Sequence, residues 1–141
     1  MKTIPTIKQA MKSHPLAPAV LRQLGGGRDA VETAIDAGEH GADAGWSGFT
    51  YYRDTKRFAK RHRAAIVQTM QDMASNLGEQ PIELVKGFRC LKGLEDADEA
   101  IAIALYGGKA RSQEVQDSVD LVYNALAWFA LEEVGRAIVD G

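Results

Sequence analysis

The chain has 141 residues, yet only one cysteine, four prolines and 7% aromatic residues. A single thiol, Cys90, cannot close an intramolecular disulfide, and the histidines at positions 14, 40 and 62 stand at no paired metal-ligand spacing. All four prolines fall within the first 81 residues, so none interrupts a helix beyond that position. No run of about eighteen apolar residues is present. The longest greasy stretch, LVYNALAWFAL at residues 121–131, is too short to span a bilayer and runs directly into Glu132 and Glu133. The opening MKTIPTIKQAMKSHP has lysines but no apolar stretch of the signal-peptide kind. Together these absences exclude a disulfide scaffold and a zinc knuckle, and the expectation is a soluble, cytoplasmic protein with no membrane partner.

What is present favours helix. Alanine occurs 21 times, apolar residues make up 45% and charged residues 26% of the chain, which is enough for one packed core and too much for disorder. Net charge is −2 but unevenly spread: residues 1–63 hold 11 Lys and Arg against 6 Asp and Glu, and residues 64–141 hold 6 against 13. The acids of the second half are interleaved with apolar residues at helical spacing, the pattern of a solvated helical surface.

Punctuation and periodicity divide the chain into helices. Residues 5–12 read as a first short helix. A second begins near Pro15 with Ser13 as its cap and ends before Gly25, Gly26 and Gly27. Residues 29–37 read as a third helix, stopped by Gly38 in a left-handed C-cap conformation. GEHGADAGWSGF at residues 38–49 reads as the longest loop, and Thr50, Tyr51 and Tyr52 as a short extended piece. A basic helix then starts at Asp54 or Thr55, and its continuation, or a second helix after a bend near His62, carries Ile66, Met70, Met73 and Leu77 as an apolar stripe closed by Gly78. Pro81 opens a helix to Lys86, GFRCLKG is a connector, and residues 96–106 form the next helix. Ser112 caps a long final helix, with Val115, Val119, Val122, Leu126 and Phe129 on one seam and only Asn124 polar between residues 121 and 131. The predicted fold is all-α: a single domain over residues 1–141, with five to seven helices around the C-terminal one.

Several stretches imitate catalytic motifs and fail on spacing. GGGRD lacks the preceding strand of a dinucleotide fingerprint, and YGGKARS lacks both the upstream glycine and the hydroxyl residue after the lysine of a phosphate loop. GWSGF has Phe49 where the second glycine of a nucleophile elbow must stand, so Ser47 is not assigned as a nucleophile. Glu39, His40 and Asp43 are close in sequence but lack a second ligand cluster. No catalytic residue, metal ligand or cofactor is assigned, and the chain reads as a non-enzyme.

One segment stands out. Residues 53–63 hold Arg53, Lys56, Arg57, Lys60, Arg61 and Arg63 against Asp54 alone, preceded by Trp46, Tyr51 and Tyr52. On a helix, Arg53, Arg57, Lys60 and Arg61 share one side, and Lys56, Lys60 and Arg63 another, within about 12 Å of axis. Those nine residues form the candidate partner-binding surface, since tyrosine, tryptophan and arginine dominate interface hot spots. The cations also suit phosphates, making nucleic acid the alternative partner, or the acidic helices of the chain itself.

The segments GFTYYRDTKRFAKRHRAAI, MASNLG, GFRCLKG and NALAWFALEEVGRAI give the chain a resemblance, over residues 45–138, to a group of small, functionally unassigned proteins carried by phages and other mobile elements. That resemblance implies an inhibitor of host defence, of the anti-CRISPR kind. Its partner would be a host protein or ribonucleoprotein complex met in the host cytoplasm by a monomer or homodimer. It carries over no catalytic residue.

Overall fold

A computed structural model of the chain describes residues 4–41 and 52–141, with the backbone alone for Tyr52 and Arg53. Helix accounts for 75% of the described residues and none of them is in a strand. There are eight α-helices among them: α1 (Ile7–Ala10), α2 (Ala17–Gln23), α3 (Arg28–His40), α4 (Tyr52–Arg61), α5 (Arg63–Leu77), α6 (Pro81–Lys86), α7 (Ala97–Tyr106) and α8 (Gln113–Asp140). A 3-10 turn at Arg89–Leu91 lies between α6 and α7. The all-helical reading holds. The count exceeds the expected five to seven because the basic stretch divides at His62, where φ −108 and ψ 21 leave helical geometry.

The chain groups into two compact units, one of residues up to Thr55 with Ala127–Gly141, the other Lys56–Leu126. Both passages between them fall inside helices, α4 and α8, so no change of composition marks either. In the first unit, α1 and α2 pack against α3, and the core is built from small and branched side chains: Leu16, Val20, Leu21, Val31, Ala34, Leu131 and Val134 are each at most 1% exposed. In the second, α6 packs against both α5 and α7, around Ile66, Met70, Val85, Ile101, Val122 and Leu126, all fully buried. The whole predicted seam of α8 is buried, Val115 through Phe129. Ser112 caps that helix as expected, its Oγ accepting from the Val115 amide at 3.2 Å.

Four local expectations need correction. Gly38 does not end α3; the helix runs to His40 and closes on Gly41, whose φ of 97° only glycine adopts easily. Gly38 instead lies against Gly135 of α8. A Cβ on Gly38 would stand 2.5 Å from the Arg136 nitrogen, and one on Gly135 would fall onto the Ala34 carbonyl oxygen and 2.7 Å from the Gly38 nitrogen. Two helices cross there backbone to backbone. Tyr52 is not extended but opens α4; Thr50 and Tyr51 lie outside the described residues. The helical period with Thr55, Phe58 and Ala59 inward outweighs the β preference of a single tyrosine. Leu77 leaves the apolar stripe of α5 and is 64% exposed, because Ile66, Met70 and Ala74, spaced at four, take the buried face instead. Ser13 does not cap α2: its hydroxyl donates back to the Ala10 carbonyl at 2.6 Å, α2 starts at Ala17 without a side-chain cap, and His14 Nδ1 accepts the Leu16 amide just before it.

Candidate basic helix and its arginine pair

Helix α4 forms because its apolar and charged residues separate onto opposite sides at helical spacing, with Asp54 in the first turn and Lys60 and Arg61 in the last complementing the macrodipole. Thr55, Phe58 and Ala59 are buried at 0, 4 and 1% exposure. At the bend the His62 amide still donates to the Phe58 carbonyl, and the His62 carbonyl accepts from Ile66, so α5 starts in the frame that α4 sets. The rings of Phe58 and His62 lie 4.7 Å apart. Burial holds the His62 imidazole below its usual range, and the neighbouring Arg61 charge pushes in the same direction.

The five cations of the segment whose side chains are described do not act together. Lys56, Lys60 and Arg63, at i, i+4 and i+7, face α8, where Asp120 and Tyr123 stand one turn apart. Lys56 Nζ is 2.9 Å from Asp120 Oδ1, with both side chains about a third exposed or less. Gln116 donates to the same carboxylate oxygen at 2.9 Å. Lys60 Nζ sits 5.4 Å from the centre of the Tyr123 ring, within cation–π range. Arg63 goes furthest inward. Its Nη2 donates to the Tyr123 hydroxyl at 2.8 Å, and its Nε donates to the Ala104 carbonyl at 3.0 Å.

That carbonyl belongs to the last turn of α7, where oxygens lack intrahelical donors. The last turn of α7 contains no basic residue of its own. Arg63 therefore brings from α5 both the missing donor and the positive charge that the end of a helix favours. Tyr123, only 4% exposed, receives the guanidinium on its hydroxyl. Sequence reading did not single out this tyrosine. The available signal was a phenol at a seam-adjacent position of an otherwise apolar helix, a group that must find a partner when buried.

Arg57 and Arg61 are left on the outer side, one turn apart and exposed, and neither forms a hydrogen bond or ion pair with a described residue. Trp46 and Tyr51, the other predicted anchors, lie outside the described residues, as do Asp43, Ser47 and Phe49; the side chains of Tyr52 and Arg53 are likewise not described. Glu39 and His40 are adjacent at the end of α3, with His40 Nε2 3.7 Å from Glu39 Oε2 and both largely exposed. Among the described residues no three of His, Cys, Asp and Glu gather closely enough to hold a metal. Cys90 is exposed. Arg136 pairs with both Glu133 at 2.7 Å and Glu132 at 3.6 Å, the second being an i, i+4 pair with the acid on the N-terminal side.

No described helix is long and apolar enough to cross a membrane. Neither a curated protein nor a solved structure matches the chain. The model of a family described as "Domain of unknown function (DUF7222)" matches residues 6–141, nearly the whole length, and the chain belongs to that family.

Proposed function

We propose that the chain is a non-enzymatic binding protein that grips an acidic protein surface through the outer face of α4. As a target class we propose a host defence complex such as a CRISPR effector, on the strength of the mobile-element resemblance. The observation that carries the binding reading is the sorting of the basic helix. Three of its cations are engaged by the chain's own α7 and α8, and Arg57 and Arg61 remain exposed one turn apart. Two guanidinium groups at that spacing suit paired carboxylates, each reached by a planar fork of donors.

Nucleic acid is the weaker reading by arithmetic. Two arginines neutralise about two phosphates, for which duplex affinity falls only roughly tenfold between 50 and 200 mM salt. Six cations acting together would give a fall of more than about a thousandfold. Affinity capture from host extract, with the wild type and with the doubly substituted Arg57→Glu, Arg61→Glu protein, tests the proposal. The wild type should recover a protein partner that the variant does not. Recovery of the same partners by both, or of none by either, would remove α4 as the contact element.

A further inference from the structure

The corner between α1 and α2 is closed by a titratable group. His14 is half-buried, and its Nδ1 accepts a hydrogen bond from the Leu16 amide at 3.0 Å. Leu16 is the residue from which α2 starts, and it has no side-chain cap of its own. The His14 carbonyl accepts from Ala17 at 2.9 Å, so one residue holds both of the first two donors of the turn. A ring nitrogen that accepts carries no proton, which places the proton of neutral His14 on Nε2. The imidazolium has N–H groups at both positions and can accept nothing.

We propose that this corner is an acid-sensitive latch: neutral His14 closes it by accepting the Leu16 amide, and protonation turns Nδ1 into a donor and opens it. The element on the N-terminal side of the corner packs against α3 but is small. Helix α1 is four residues long with Ala10 as its one buried residue. A groove of about 340 Å³ separates it from the last turn of α8, bordered by Gln9, Lys12, Ala137 and Ile138. Helix α3, packed against both α1 and α2, carries Arg28, Asp29, Glu32, Asp36, Glu39 and His40, and none of these is among the groups that shift His14. Lys8, Lys12 and Arg22 are the charged side chains of α1, α2 and their connection. On α8, Glu133 reaches His14 electrostatically while held by Arg136 at 2.7 Å.

Burial lowers the affinity of the ring for a proton more than Glu133 raises it, and the accepted amide bond favours the neutral ring as well. The closed corner therefore binds fewer protons than the open one. Its stability is complete above the open-chain value of 6.5 and declines as pH falls below it. At pH 5 the open form can gain at most about thirtyfold.

The test is magnetic resonance of the whole chain. At pH 7.5 the His14 nitrogen shifts should report the Nε2–H tautomer. Between pH 7.5 and 5.0 the exchange protection factor of the Leu16 amide should fall severalfold, within the thirtyfold ceiling. His14→Asn supplies an acceptor that does not titrate and should hold that protection constant within about twofold. An Nδ1–H tautomer at pH 7.5, or an equal fall in wild type and His14→Asn, would overturn the proposal. The tautomer is read on the wild type alone, so a poorly folded variant leaves that test standing.

Discussion

Replacing Gly135 with alanine should lower the melting temperature by about 8 °C, corresponding to a loss of about 2–3 kcal/mol. At an ordinary helix position the same change stabilises, since alanine exceeds glycine by about 1 kcal/mol in helix propensity. The sign reverses at Gly135 because the added methyl would coincide with the Ala34 carbonyl oxygen and press on the Gly38 backbone. These are backbone atoms of a helix, and no side chain can swing aside. Either α3 and α8 separate, losing contacts of a core that includes Ala34 and Leu131, or the methyl forces a local break. Gly38→Ala meets the same crossing from the other side and should cost a similar amount, with the double substitution less than additive. Gly87→Ala is the control. Its φ is −76° and its nearest neighbour would be 3.4 Å away, so its effect should stay within about 0.5 kcal/mol.

Arg63→Met should cost about 3 kcal/mol in urea unfolding, the largest effect of any single change in the basic segment. Methionine keeps much of the apolar stem and the helix propensity, so the loss isolates the guanidinium. Two charge-assisted bonds go with it, leaving the Ala104 carbonyl without the Arg63 donor and the buried Tyr123 hydroxyl without its cation. Arg63→Lys should recover less than half of the loss, because one ammonium cannot reproduce a fork that serves an oxygen on α7 and another on α8. Tyr123→Phe should cost about 1 kcal/mol, since it removes one bond and leaves the Ala104 contact intact.

Much of the helical architecture is legible in local signals. Gly78 adopts the left-handed C-cap conformation, Pro81 starts α6, Tyr106 ends α7 and Ser112 caps α8, each where sequence placed it. Those features depend on residues within a few positions of one another. The misreadings involve distant partners. A glycine inside a helical pattern has the appearance of a stop, and nothing near Gly38 reveals that Gly135 will lie against it. His14 before a proline gives no hint that its ring will accept the Leu16 amide while the hydroxyl beside it turns back to Ala10.

The basic segment shows the same division. Its two helical sides can be drawn from spacing alone, and Lys56, Lys60 and Arg63 do share one. Which side turns inward is decided by Asp120 and Tyr123, about sixty residues away. Six cations in one run therefore look like one patch in the sequence, although half of them serve the fold.

That division is tested most directly by comparing two doubly substituted proteins in urea unfolding, with glutamine used throughout to preserve length and helix propensity. Arg57→Gln with Arg61→Gln should unfold within about 0.5 kcal/mol of the wild type, since both side chains are exposed and neither bonds a described residue. Lys56→Gln with Arg63→Gln should lose about 3–4 kcal/mol, combining a partly shielded ion pair with the guanidinium bridge. Equal losses from the two pairs, or a larger loss from the outer pair, would contradict the assignment of Arg57 and Arg61 as the cations left for a partner.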